Sequence, residues 1–161
     1  MGNFDLIIKG GTVATAADTF RSDVGIRDGR VVALGHDLGS ADREIDAGGM
    51  LVLPGGIDAH CHIEQESSTM LMTADDYYSG SVSAAFGGNT TFIPFAAQHR
   101  GQNLRDVVQI THDRAGPKSV IDYAFHLIIS DPTENVLGQE LPALIMEGYT
   151  SFKVYMTYEM L

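Results

Sequence analysis

The sequence predicts an α/β protein in which a small N-terminal β subdomain, residues 1–51, precedes the first four strands and three helices of a (β/α)8 TIM barrel, residues 52–161. Two changes of pattern and one count point there. The first fifty residues are short, glycine-punctuated β-like runs. From about Val52 onward, strand and helix patterns alternate four times, the mark of a parallel sheet. A complete barrel of eight such units needs about 250 residues, whereas the whole chain has 161, so the architecture reads as half a barrel, truncated.

In the β region, FDLIIKGGTVAT reads as strand, turn and strand. VGIRDGRVVALG is a hairpin closed by Asp28-Gly29, a dipeptide that tolerates the positive φ of a tight turn. REIDAGGMLVLPGG adds a further short strand pair. Beyond it, LVLPGGIDAHCH is a buried strand, and TADDYYSGSVSAAFGG a helix with Thr73 as N-cap, Asp75 and Asp76 in its first turn and Gly87-Gly88 at its end. NTTFIPFAA is the second strand and NLRDVVQITHDRAG the second helix, with Val107, Val108 and Thr111 near one face. SVIDYAFHLII is the third strand. PTENVLGQELPALIMEG is a helix broken or restarted near Pro142, and TSFKVYMTY is the fourth strand. These strands are nearly continuous apolar runs, as expected where both faces are covered. Gly55-Gly56 does not open a dinucleotide-binding loop, because His60 and His62 follow where a helix should begin.

The composition narrows the function. A formal net charge of −11, from ten Lys and Arg against twenty-one Asp and Glu, speaks against nucleic acid and anionic membrane as partners. Cys61 is the single cysteine, so no internal disulfide framework exists. The start of the chain lacks signal-peptide character, position 6 is Leu6 where a myristoylation motif wants Ser or Thr, and no apolar run is long enough for a membrane span. A cytoplasmic protein is expected.

His60 and His62 lie two apart near a strand end, so their side chains share a face and both imidazoles can reach one metal ion. Two polar residues at a strand terminus is the plainer alternative; the position at the mouth of a barrel shifts the balance toward metal. Cys61 points the other way. Asp58 shares the histidine face, either orienting an imidazole or bonding backbone amides. Lys153 is one of three lysines and sits inside FKVYMT, where an unpaired ammonium is costly. A neutral amine there can combine with carbon dioxide to a metal-bridging carbamate; the alternative is a lysine snorkelling to the strand end. Tyr158 carries a hydroxyl able to donate to a developing oxyanion, or is a half-buried anchor. His99 lies on the mouth side without a recognisable partner, His126 reads as structural, and His36 and His112 as surface residues.

A small β region, then PGGIDAHCH, then βα units, then SFKVYMTY: this order strongly resembles the dihydropyrimidinases and D-hydantoinases, cyclic-amide hydrolases of the amidohydrolase superfamily. The resemblance implies a metal-dependent hydrolase that opens dihydropyrimidine or hydantoin rings to N-carbamoyl amino acids. It implies two divalent metal ions, zinc by default, with His60 and His62 on the more buried one and a carboxylated Lys153 bridging the pair. It implies that Tyr158 binds the substrate and stabilises the tetrahedral intermediate. Dihydroorotases carry an arginine two residues after the second histidine; Glu64 stands there instead, favouring substrates without a ring carboxylate. The family's two further metal-binding histidines and its metal-binding Asp come from later strands, and nothing follows Leu161. The expected partners are therefore a small cyclic amide and a homo-oligomer (a tetramer when complete) or a complementing C-terminal half, the chain alone being inactive. A non-catalytic dihydropyrimidinase-like assembly protein is the competing reading.

Overall fold

A computed structural model describes residues 4–66 and 71–157. The chain divides into two compact units, Met1–Pro54 and Gly55–Leu161.

The first unit is one five-stranded sheet. Its central strand, β1 (Phe4–Ala14), pairs antiparallel with β2 (Thr19–Arg27), which pairs antiparallel with β3 (Arg30–Gly35). On the other edge of β1 lie β4 (Ala41–Asp46) and then β5 (Leu51–Val52), both parallel to it. The expected hairpin is present: Asp28 and Gly29 turn with φ of 52° and 69°, and Asp5 Oδ2 accepts the Asp28 N–H at 2.6 Å. Two expectations are corrected. Gly10-Gly11 makes no turn, because β1 runs straight through it; the register with β2 slips between Ile8 and Gly11, a bulge that keeps both halves of the strand in the ladder. REIDAGGMLVLPGG forms no strand pair either. Its two strands lie end to end along β1, joined by a turn in which Ala47 accepts the Met50 N–H.

The bulge also places a carboxylate. The Gly10 N–H, turned out of the ladder, donates to Asp23 Oδ1 at 2.8 Å. That bond holds the Asp23 carboxyl below its usual range; burial opposes it, and the Leu38 and Asp37 amides add to it. The folded pKa is thus below the unfolded value of about 3.9. The stabilisation is fully present above that value and is lost as pH falls through the folded one. Asp23→Asn should therefore flatten the acid limb of the stability curve. Urea midpoints measured from about pH 5 to pH 2 should fall less steeply in the variant; equal slopes would show that Asp23 carries no such linkage.

The second unit alternates strand and helix. In order it contains β6 (Gly56–Asp58), α1 (Tyr77–Phe86), β7 (Asn89–Phe92), β8 (Phe95–Ala97), α2 (Leu104–Ala115), β9 (Asp122–Tyr123), β10 (His126–Ile128), a π-helical turn (Val136–Glu140) running into α3 (Leu141–Met146), and β11 (Phe152–Lys153). These strands pair in parallel, in the orders β6-β7-β9 and β8-β10-β11. The second and third predicted strands are each split in two. Pro94 explains the first break, since it has no N–H to donate. The chain still bonds across the breaks, with Ile93 donating to Asp58 O and His126 to Pro94 O.

The helices follow their sequence signals, with one correction. Asp76, not Thr73, caps α1, so neither Asp75 nor Asp76 lies in its first turn: the Asp76 side chain accepts the Ser79 N–H while the Ser79 side chain accepts the Asp76 N–H, a reciprocal capping box. Asn103 caps α2 in the same sense, accepting from Arg105 and Asp106. The break before Pro142 is a π-helical turn, closed by the Leu141 N–H donating to Val136 O. Proline cannot donate to the carbonyl four residues back and its ring crowds it, so the widened turn is the accommodation. Between helices and strands lies a core built on Tyr77, Phe92, Ala96, Leu104, Phe125, Leu127 and Leu144. Ala96 and Leu127 face this core, so Phe95 and His126, one residue earlier in each strand, face the opposite side.

Candidate active site

His60 and His62 stand just beyond β6, and both side chains are exposed. Their ring centroids are 5.5 Å apart with the planes at 66°. Both pack on Phe95, at 4.9 Å each: His60 edge-on at 71°, His62 stacked at 23°. Lys153, the last residue of β11, brings its Nζ to 4.3 Å from the same ring centroid and 5.3 Å from that of Tyr155. Three of the sequence-predicted residues thus meet on one phenyl ring. The lysine is half-buried rather than buried and unpaired, and its ammonium rests on aromatic faces, an attraction of about 0.5–2 kcal/mol.

The neighbouring side chains orient this group. Gln65 Oε1 lies 2.8 Å from His62 Nδ1; with Nδ1 donating there, Nε2 keeps the free lone pair a metal needs. Asp58 Oδ1 accepts the main-chain N–H of His60 at 3.1 Å, which matches the second of the two roles open to it. Ile63 packs on α1 at Gly80, where a Cβ would come within 2.7 Å of its Cδ1; that close approach pins the segment carrying the histidines. Cys61 packs against the core instead. Burial, reinforced by the nearby Asp58 carboxylate, pushes its thiol up to about 11, so it stays protonated at neutral pH.

The other histidines separate clearly. His126 Nε2 bonds Ala59 O at 2.8 Å and Nδ1 bonds Ser151 Oγ at 2.5 Å, so both nitrogens are engaged and the role is structural, as expected. His112 is not a free surface residue: its ring packs on Phe125 and its nitrogens bond the hydroxyls of Tyr123 and Tyr149. His99 is exposed, its main chain closing a turn with Gln102. Tyr158 lies outside the described residues.

Two polar residues escaped sequence reading, and a third, Glu64, has a structural role that its comparison with dihydroorotases did not reveal. Glu64, with φ of 46°, gives its carboxylate to Lys118 at 2.7 and 2.8 Å and to the Tyr77 N–H at 3.2 Å, sealing the N-terminus of α1. Gln98, 2% exposed, accepts the Ser130 and Asp131 N–H groups and donates to Gln102 O, tying the ends of two parallel strands together. Glu140, 5% exposed, accepts from Asn103, Asn135 and the Leu104 N–H. Gln98 and Glu140, each beside other polar residues, carried no distinguishing local signal.

Among the described residues no cluster of three or more His, Cys, Asp or Glu is arranged to hold a metal ion. The imidazole pair and Lys153 still form a donor set suited to one: two neutral nitrogens and an amine that can become an anionic oxygen ligand.

Fold and side chains together define an α/β protein with two imidazoles and a lysine gathered at the carboxyl ends of parallel strands. No family model matches the sequence. The chain is 47% identical over 154 residues to the D-hydantoinase of Ralstonia pickettii, covering 96% of this chain and 33% of that protein. It superposes on a solved D-hydantoinase structure with a TM-score of 0.92 at 46% identity, covering 97% of this chain and 34% of that one. On the dihydropyrimidinase of Brevibacillus agri the TM-score is 0.89 at 42% identity, covering 95% and 33%. Over almost its whole length the chain is similar to D-hydantoinases and dihydropyrimidinases, and it spans about a third of the length of the relatives it matches.

Proposed function

We propose that this chain forms part of a metal-dependent hydrolase that opens the C–N bond of a cyclic amide, a dihydropyrimidine or a hydantoin, to give an N-carbamoyl amino acid. The observation that carries the reading is the convergence of His60, His62 and Lys153 on Phe95, in a chain this similar to D-hydantoinases. His60 and His62 would hold one of two divalent ions, zinc by default, and a carboxylated Lys153 would bridge to the second. When bound, such ions polarise a carbonyl and lower the pKa of a bound water to about 7.

The chain's own residues prepare that site. Gln65 sets the tautomer of His62, and Asp58 holds the His60 backbone. Tyr158 would donate to the oxyanion that develops as the ring carbonyl becomes tetrahedral. The parallel ladders support half of a (β/α)8 barrel, its remaining ligands and base coming from a complementing C-terminal part, in a homo-oligomer. The acidic surface fits a cytoplasmic enzyme of small molecules rather than a binder of nucleic acid. Among the described residues no helix is long and apolar enough to cross a membrane.

A chimera tests this. The 161-residue chain should show no metal-dependent opening of hydantoin or dihydrouracil on its own. Substituted for the matching third of the Ralstonia pickettii enzyme, it should give a zinc-dependent hydrolase, reduced to background by Lys153→Ala. A chimera that folds and binds zinc yet opens neither ring would sink the proposal.

A further inference from the structure

Phe95 touches four side chains from three segments of the second unit. His60, His62 and His126 pack on its ring at 4.9, 4.9 and 5.3 Å, and the Lys153 ammonium stands 4.3 Å from its centroid. The phenyl is 5% exposed, although it faces away from the hydrophobic core that covers Ala96. What covers it is the candidate ligand set itself.

We propose that Phe95 is a positioning residue, the aromatic floor that fixes the two imidazoles for a shared metal ion. The inference rests on the metal reading above. His60 and His62 are exposed and follow the last residue of β6, so strand pairing does not fix their rings. Left free, each would lose rotamer entropy on binding a metal, at about 0.5–1.5 kcal/mol per immobilised side chain.

Against the phenyl the two rings adopt different poses, one edge-on and one stacked, and this sets them 66° to each other. Both arrangements satisfy the ring quadrupole. The π face that stacks an imidazole also attracts the lysine cation. Leucine would fill similar space and offer neither interaction. His126 fixes the floor from the third strand position, held by Ala59 O and Ser151 Oγ.

The test uses the 161-residue chain and zinc alone, read by competition with a chromophoric chelator. Phe95→Leu should weaken zinc binding about 10–100-fold, the range seen when outer-sphere supports are removed, and Phe95→Tyr should restore it. Phe92→Leu is the control, since that ring is 1% exposed in the core; it should lower the melting temperature and leave zinc affinity unchanged. Imidazole proton spectra of the metal-free wild type give a second readout. His60 and His62 should show ring-current shifts that disappear in Phe95→Leu. Zinc affinity unchanged in Phe95→Leu, or lost equally in Phe92→Leu, overturns the inference and leaves the metal reading standing. Unshifted imidazole protons in the wild type overturn it even if Phe95→Leu does not fold. A wild-type chain that binds no zinc overturns the inference, and the zinc-dependence of the chimera then decides the metal reading.

Discussion

Replacing both His60 and His62 by alanine should lower the zinc affinity of the chain by roughly a hundredfold or more, because in the proposed site the pair would supply the nitrogen ligands. Folding should survive. Both rings are exposed, and the bond that shapes their segment runs from the His60 backbone to Asp58, which alanine retains. The expected result is a melting temperature within a few degrees of wild type, a shift of about 1 kcal/mol or less. Single variants separate the two roles. His62→Ala also frees Gln65, whereas His60→Ala removes only the edge-on ring. Zinc titration with circular dichroism as the fold control decides the matter; retained affinity in the double variant would place any metal elsewhere.

The second large effect concerns stability. Glu140→Ala should destabilise the second unit by about 3–4 kcal/mol, a large share of a typical domain's stability. The carboxylate accepts three donors: Leu104 N–H at 2.6 Å, Asn135 Nδ2 at 2.6 Å and Asn103 Nδ2 at 2.9 Å. Leu104 is the first residue of α2 and is fully buried, so its amide cannot turn to water for a replacement. A carboxylate there also faces the positive end of the helix dipole. Its bond to Asn103 further orients the amide whose oxygen caps Arg105 and Asp106. Glu140→Gln keeps one acceptor oxygen but presents an NH2 group to donors, so a loss of about 1–2 kcal/mol is expected. Urea denaturation should show the midpoint falling in the order wild type, Gln, Ala at constant slope. A midpoint within error of wild type in the alanine variant would mean that water reaches those donors.

Features written in local order were legible from sequence. The Asp28-Gly29 turn, the limits of α2 and the shared face of His60 and His62 each depend on neighbours a few residues apart. Lys153 stood out because a cation is conspicuous in an apolar strand. Less legible was whatever depends on distant segments meeting. Pro142 announced an interruption, but that the helix would widen there, and that Pro94 would split a strand read as continuous, was decided by the ladders and packing around them. Phe95 looked like any core aromatic; its alternation out of the core and under the histidines emerges only when β6, β8, β10 and β11 come together. Glu140 caps a helix that begins far upstream, and Asp23 answers an amide freed by the bulge in β1. Spacing within either element carries no trace of such pairings.

The order of strands around β1 has a consequence for how the first unit is made. Strand β1 leaves the ribosome before its parallel partners, and it can complete its ladder only when Ala41–Asp46 and then Leu51–Val52 arrive to lie against it. The β2–β3 hairpin, closed by its two-residue turn, can form on local contacts and early. The parallel partners of β1 demand closure of a much longer loop, which is entropically slower. During synthesis one edge of β1 therefore waits unpaired while most of the unit is still being translated. A pause in translation ahead of β5 would prolong exposure of that edge and favour misassociation between nascent chains.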